Sequence, residues 1–322
     1  MKKKIILIIL ILFLTAAAIT ASPFLFLTNT DKYQSHITID KENNALHISG
    51  NEEIKILQLS DIQVGSLSKA IDPYSKIKKL IKQTTPDLIV ITGDNLENSG
   101  KKTHAKTFAN FMDSFEIPWA IILGNHDHLA IASIQEQSKI YENSKFGLFK
   151  SGNIEGSKGN YYYTIKRDNE TIYSLIFMDS KQNGFTEEHK IWYENTINQI
   201  NTESNKTVPN MLFCHIPLPE MVDAYNAYAL DNTIGSGELN EPICPQETDI
   251  SFFDKVIELG STNFMAFGHD HVNTLHINYQ GIMFCYGLKT GFTSYYDETI
   301  QGGCLYTIKT NNEILTERIF VQ

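Results

Sequence analysis

Five short polar motifs stand along this 322-residue chain, each closing an apolar run. Asp61-Ile62-Gln63 follows the run 54–59, Gly93-Asp94-Asn95 follows 88–92, and Gly124-Asn125-His126-Asp127 follows 120–123. His215 follows 211–213, and Gly268-His269-Asp270-His271 follows 264–267. Short apolar runs bounded by polar residues read as buried β-strands. In open α/β sheets, ligands gather in the crevice beyond the carboxyl ends of such strands. Carboxylate, amide oxygen and imidazole are ligand types for Mn, Fe or Zn. Together the five motifs spell a two-metal site.

The elements that must carry these motifs alternate along the chain. Residues 36–39 and 45–48 flank Lys41-Glu42-Asn43-Asn44, a hairpin signal. Asp72-Pro73 opens a helix to about residue 83, with Pro in the first turn where its missing N–H costs nothing. Further helices are expected over 103–115, 131–141 and 187–200. The spacing from Asp61 to Asp94, and again to Asn125, is about thirty residues, the length of a βαβ unit. After Gly159 the chain becomes β-rich: 161–165 and 171–178 flank the turn Arg167-Asp168-Asn169-Glu170, and 275–286 and 305–308 read as later strands. Alternate strand residues share a face, so Asp61 and Gln63 are expected to point together, as are His269 and His271. The stretch 217–246, with Gly235, Gly237, Pro242 and Pro245 and the aromatic Tyr225 and Tyr228, reads as a long functional loop walling a substrate pocket.

The order and identity of the motifs resemble the calcineurin-like metallophosphoesterases, whose pattern is Asp-x-His, Gly-Asp, Gly-Asn-His-Asp/Glu, His, Gly-His-x-His. Cys214-His215-Ile216-Pro217, Gly268-His269-Asp270-His271 and Cys285-Tyr286-Gly287-Leu288-Lys289-Thr290-Gly291 look like the purple-acid-phosphatase-related branch. The resemblance runs from about residue 54 to the C-terminus. It implies a four-layer α/β/β/α sandwich of two mixed sheets, with a dinuclear site at the C-terminal ends of the strands. Periodicity alone gives only an α/β protein with extra antiparallel strands.

Carried over position by position, the resemblance implies that Asp94 bridges two divalent ions (Mn, Fe or Zn). Asp61, Gln63 and His271 would complete one ion, and Asn125, His215 and His269 the other. A hydroxide bridging the ions would attack phosphorus, and His126 would act as acid on the leaving oxygen. Glu97 or Asp127 could orient His126. Gln63 departs from the commoner His and is a weaker, neutral ligand. Glu97 stands where the purple members carry a Tyr ligand, so no purple chromophore is expected. Lys289 is a candidate phosphate contact and His128 a candidate pocket residue. The chain's two arginines, Arg167 and Arg318, are remote from every motif, so no bidentate Arg clamp is expected.

Composition limits the function further. Hydrophobic residues make up 42% and aromatics 11%, enough for one large core over 31–322. A net charge of −10, spread along the sequence, argues against nucleic-acid binding. The four cysteines form no zinc or redox motif, and Cys214, Cys285 and Cys304 read as inert buried thiols. Met1-Lys2-Lys3-Lys4 followed by a long Ile/Leu-rich stretch reads over residues 1–30 as a signal peptide or signal anchor. Either form exports the domain, with any membrane attachment through this segment alone. The expected activity is metal-dependent hydrolysis of a small phosphoester, monoesters first. Phosphodiesterase or nucleotide diphosphatase chemistry on the same site is the alternative, and a non-catalytic scaffold the third reading.

Overall fold

The computed structural model describes residues 35–50, 52–65, 71–248 and 250–321; the expected targeting segment lies outside them. The chain opens with an antiparallel hairpin, β1 (Ile37–Asp40) and β2 (Ala45–Ile48). Two βαβ units follow: β3 (Ile54–Leu59), α1 (Ile71–Thr84), β4 (Leu88–Thr92), α2 (Lys102–Asp113) and β5 (Trp119–Ile122). These three strands are parallel, with Leu57 opposite Ile89 and Ile91 opposite Ile121.

A short helix α3 (Asn125–Leu129) begins directly at the third motif and was not expected. The next helix, α4 (Ile134–Glu142), starts three residues later than the apolar pattern suggests. Ser133 sets that start: its hydroxyl accepts from the Glu136 N–H while Glu136 reaches back to the Ser133 N–H. A second hairpin, β6 (Tyr161–Arg167) and β7 (Glu170–Phe177), turns on Asp168 and Asn169 at φ +49° and +66°. Asn and Asp tolerate that left-handed backbone, which suits the strand twist.

Helix α5 (Glu187–Ser204) leads to β8 (Asn210–Phe213). The stretch 217–246 is not one open loop. It holds α6 (Glu220–Leu230), a 3-10 turn (Asn232–Ile234) and β9 (Gly235–Ser236). Helix α6 escaped the apolar pattern because it buries only Met221 and Ala224. Then come α7 (Phe252–Leu259) and β10 (Thr262–Phe267). The run 275–286 is two strands, β11 (His276–Tyr279) and β12 (Ile282–Tyr286), folded on Gln280 and Gly281 at φ +51° and +82°. Strands β13 (Gly302–Ile308) and β14 (Ile314–Phe320) close the chain as an antiparallel pair.

Among the described residues the strands form two mixed sheets, ordered β1-β2-β6-β7-β8-β10-β12-β11-β9 and β14-β13-β3-β4-β5. Successive residues of the central strand β10 divide between two apolar cores. Phe264 and Ala266 join the small sheet, whereas Met265 and Phe267 pack with α5, α6 and α7. Helices α1 and α2 cover the small sheet's far side through Ile77, Leu80, Phe108 and Met112. That is the α/β/β/α order, and the period-two side-chain alternation of a strand produces it. Between the sheets the rings of Phe264 and Tyr306 meet at 4.7 Å. Tyr306 also donates its hydroxyl to Gln58 Oε1, and Gln58 Nε2 donates to Thr92 Oγ1 at 2.7 Å and to the Phe267 carbonyl at 2.8 Å. This buried, fully bonded amide ties the ends of β4 and β10 together just below the polar motifs.

Candidate metal centre

Parallel strands of both sheets end at one crevice. β3, β4 and β5 deliver Asp61, Asp94 and Asn125, while β8 and β10 deliver His215 and His269. Two glycines allow the close approach. Gly93 sits at φ +84°, and a Cβ there would come within 2.5 Å of the His215 ring. A Cβ on Gly268 would collide with Ser60 Oγ and the Thr92 carbonyl. The Gly-Asp and Gly-His pairings of the motifs follow from this contact between sheets. The pleat alternation expected to pair Asp61 with Gln63 and His269 with His271 is not what aims these candidate ligands. Asp61, Gln63, Asp94 and His269 all lie past their strand ends at φ +51°, +51°, +49° and +75°. Left-handed residues outside glycine are strained and concentrate at functional sites.

One half of the crevice gathers Asn125, His215 and His269 beside Asp94. Asn125 Oδ1 lies 3.0 Å from His215 Nε2 and 3.1 Å from His269 Nδ1. The two imidazole nitrogens are 3.4 Å apart, and Asp94 Oδ1 is 3.3 Å from His215 Nε2. His215 Nδ1 donates to the Thr92 carbonyl at 2.8 Å, which orients Nε2 towards the cluster. The other half gathers Asp61, Gln63 and His271. His271 Nδ1 donates to the Tyr295 carbonyl at 2.9 Å, and its Nε2 faces Asp61 Oδ1 at 3.4 Å. Tyr295 stacks on the His271 ring at 4.4 Å. Asp94 stands between the halves, its Oδ2 3.4 Å from Gln63 Nε2.

The electrostatics of this crevice call for positive charge. Burial opposes ionisation of Asp61, yet His271, His215 and Lys289 hold its carboxyl well below the usual range. Burial likewise opposes ionisation of Asp94, and His215 outweighs it. Burial alone would lower His215, but Asp94 and Asp61 push it up to about 10, so a proton answers the carboxylates there. His269 goes the other way, down to about 4, through burial and the neighbouring His215. Asp61 Oδ1 is buried and accepts no hydrogen bond. Ligand atoms of Asp61, Asp94 and His215 lie within 4.8 Å of one another. An orphaned carboxylate oxygen among converging O and N donors fits divalent cations such as Mn, Fe or Zn.

The remaining candidates fall around this cluster. His126 is 36% exposed, with Nε2 3.8 Å from Asp94 Oδ2. Its Nδ1 meets Asn98 Oδ1 at 2.7 Å, a partner the sequence did not suggest. Neither acid expected to orient it makes that contact. Glu97 accepts from Ser99 Oγ at 3.1 Å. Asp127 is fully buried and accepts from the N–H groups of Gly124, Asn95 and Leu96 and from Asn95 Nδ2. Burial and the nearby Asp94 push its carboxyl up to about 7. Asp127 thus fastens the second motif to the third.

His128 is held by Asp179 at 2.9 Å and is 8% exposed, so its ring serves a buried ion pair. Asp179 also accepts from Ser157 Oγ and the Lys158 and Lys181 N–H groups. It was overlooked although it ends the apolar run 172–178, the signal that marked the five motifs. Lys289 is only 1% exposed and donates to Gln63 Oε1 at 2.8 Å and to the Asp61 carbonyl at 3.1 Å. Burial pulls its ammonium down to about 8. A residue so enclosed is not presented to a substrate phosphate as expected. From the 217–246 stretch, only the end meets the site: the Cys244 N–H donates to Asp270 Oδ2 at 3.2 Å, and Glu241 accepts from Tyr295 at 2.7 Å. Cys244 is exposed, whereas Cys214, Cys285 and Cys304 are buried and free, as read from the sequence.

The sequence model of the calcineurin-like phosphoesterase family matches residues 54–273. Among curated proteins, the chain is 29% identical to "Probable inactive purple acid phosphatase 14" of Arabidopsis thaliana, over 78% of this chain and 73% of that one. It is 27% identical to "Probable inactive purple acid phosphatase 29" of the same plant, over 81% and 78%. It is 25% identical to "Phosphatase DCR2" of Saccharomyces cerevisiae, over 80% of this chain and 51% of that longer protein. One solved structure superposes with a TM-score of 0.51 at 11% identity, covering 83% of this chain and 99% of the other. At that identity the likeness speaks for the fold alone.

Proposed function

The chain belongs to the calcineurin-like phosphoesterase family, and we propose that it is a metal-dependent phosphoric-ester hydrolase acting first on monoesters. One observation carries this reading. Carboxylate, amide and imidazole side chains from five strand ends meet in one crevice, where ligand atoms of Asp61, Asp94 and His215 lie within 4.8 Å of one another and Asp61 Oδ1 accepts no hydrogen bond, with a further imidazole, His126, 3.8 Å from Asp94. In the proposed centre Asp94 would serve both ions; Asp61, Gln63 and His271 would hold one, and Asn125, His215 and His269 the other. Two divalent ions supply Lewis-acid activation of water and neutralise phosphoryl charge.

The chain's own groups do the rest. Thr92 and Tyr295 fix the rings of His215 and His271 through their carbonyls. Asn98 holds His126 Nδ1, leaving Nε2 to pass a proton to the leaving oxygen. Arg167 and Arg318 bond to backbone carbonyls of Glu52, Thr274 and Ser236, away from the crevice. With no guanidinium clamp, charge complementarity rests on the cations, which suits a dianionic monoester.

Two observations favour the scaffold reading: the orienting partner of His126 is a neutral amide and not an acid, and two of the similar plant proteins are named as inactive. Assay of Mn²⁺-loaded protein against nitrophenyl phosphate, with a chelated control, separates the two readings. Turnover that chelation abolishes supports the hydrolase, and no turnover with any divalent ion supports the scaffold. We also place the domain outside the cytoplasm, on the strength of Lys2-Lys3-Lys4 and the apolar run behind them.

A further inference from the structure

Gln63 presents the wrong end of its amide to Asp94. Its Nε2 faces Asp94 Oδ2 at 3.4 Å, while Oε1 accepts from Lys289 Nζ at 2.8 Å and Thr293 Oγ1 donates to the Gln63 carbonyl at 3.0 Å. The partners fix this orientation, because an ammonium only donates and a carboxylate only accepts. The one side-chain atom of Gln63 able to bind a cation is therefore already held by a cation.

Lys289 is not a side chain that can easily swing aside. Its backbone pairs with Ser60 in a parallel bridge, the Thr290 N–H donates to the Ser60 carbonyl at 2.8 Å, and the Gly302 N–H donates to the Lys289 carbonyl at 3.1 Å. The side chain is buried, and its second hydrogen bond ends on the Asp61 carbonyl. Among the described residues, the half-site of Asn125, His215 and His269 has no such competitor: the hydrogen bonds and ion pairs of those three side chains carry no lysine.

We infer that Lys289 competes with a divalent ion for the amide oxygen of Gln63, so that the two half-sites load unequally. The half built on Asn125, His215 and His269 fills first. The half built on Asp61, Gln63 and His271 fills later, because its ion must displace a fixed ammonium from Gln63 or do without the amide, and in both cases sits near a like charge in a poorly screened interior. Lys289 is thus a positioning residue that sets the affinity of one ion, which gives this chain a centre whose second ion responds to metal supply. The inference rests on the two-ion reading proposed above.

The test is calorimetric titration of chelator-stripped protein with Mn²⁺, read as two dissociation constants. Wild type should bind in two steps at least tenfold apart. Lys289→Met removes both charge and donor, and Lys289→Gln removes the charge while keeping a donor for Gln63. Each should tighten the weaker step at least tenfold and leave the tighter step within about threefold, with thermal melts reporting folding. Two equal steps in wild type, or a weaker step unmoved in a folded variant, overturns the competition while the two-ion reading stands. No Mn²⁺ bound by wild type overturns that reading and the competition with it.

Discussion

His126 and Asn98 are joined at 2.7 Å between the imidazole Nδ1 and the amide oxygen. An amide oxygen only accepts, so Nδ1 carries a proton and Nε2 is the atom turned towards Asp94 and the crevice. Two consequences are measurable. His126→Ala should keep its metal and lose about 10²-fold or more in kcat on alkyl phosphates, as for a lost general acid. The loss should shrink for nitrophenyl phosphate, whose leaving group needs little protonation. Asn98→Ala should cost less than His126→Ala on the same substrates. An equal His126→Ala loss for good and poor leaving groups would assign the ring a positioning role.

The His128–Asp179 pair should stabilise the fold in a pH-dependent way. Burial opposes charge on both, yet Asp179 raises His128 above its ordinary 6.5, and His128 with two N–H donors lowers Asp179 below 3.8. The lowered carboxyl contributes above pH 3.8 and loses that contribution as pH falls through its folded value. The raised imidazole contributes fully below pH 6.5 and fades as pH rises through its folded value. Asp179→Asn should therefore cost about 3 kcal/mol in urea unfolding near pH 6, as for a broken buried pair. The deficit should shrink as pH rises through the folded value of His128, where wild type loses the charged imidazole. A deficit that stays constant as pH is raised from 6 through the alkaline range would show that the pair's charge contributes nothing.

The chemistry was easier to read from the residues than its supports were. The five motifs stood out because each ends an apolar strand, and the glycines beside them mark where the two sheets touch. Asn98 lies in an exposed turn with Ser99, with nothing in its surroundings to mark it, and only the fold brings it to His126. Lys289 was noticed for its charge but misjudged, since burial beside Gln63 is a tertiary property. The hairpin of β11 and β12 looked like one strand because apolar residues continue on both sides of Gln280-Gly281. Strand β14 was missed because it is an edge strand of alternating intermediate and exposed residues, including Glu317 and Arg318.

Substrate class can be decided with a panel of nitrophenyl phosphate, bis-nitrophenyl phosphate and ADP-ribose under Mn²⁺. Without an Arg clamp, cations provide most of the charge complementarity, so the monoester should have the highest kcat/KM. A tenfold preference for either of the other two, about 1.4 kcal/mol in transition-state binding, would move the assignment to diesters or diphosphates.

The proposed topology is open to a protease test. Protease added to intact cells or spheroplasts should digest the domain, since the lysine-flanked apolar segment would leave it outside. Protection until lysis would put the domain in the cytoplasm.

The central claim is that Asp94, with one carboxylate oxygen towards each half of the crevice, makes a paired-ion centre that hydrolyses phosphoesters. The direct measurement is metal per chain and kcat/KM for nitrophenyl phosphate on the same Mn²⁺-equilibrated preparations of wild type and Asp94→Asn. The account predicts two ions and turnover in wild type, with both the second ion and the turnover lost in the folded variant. Two ions retained by Asp94→Asn with turnover intact would contradict it.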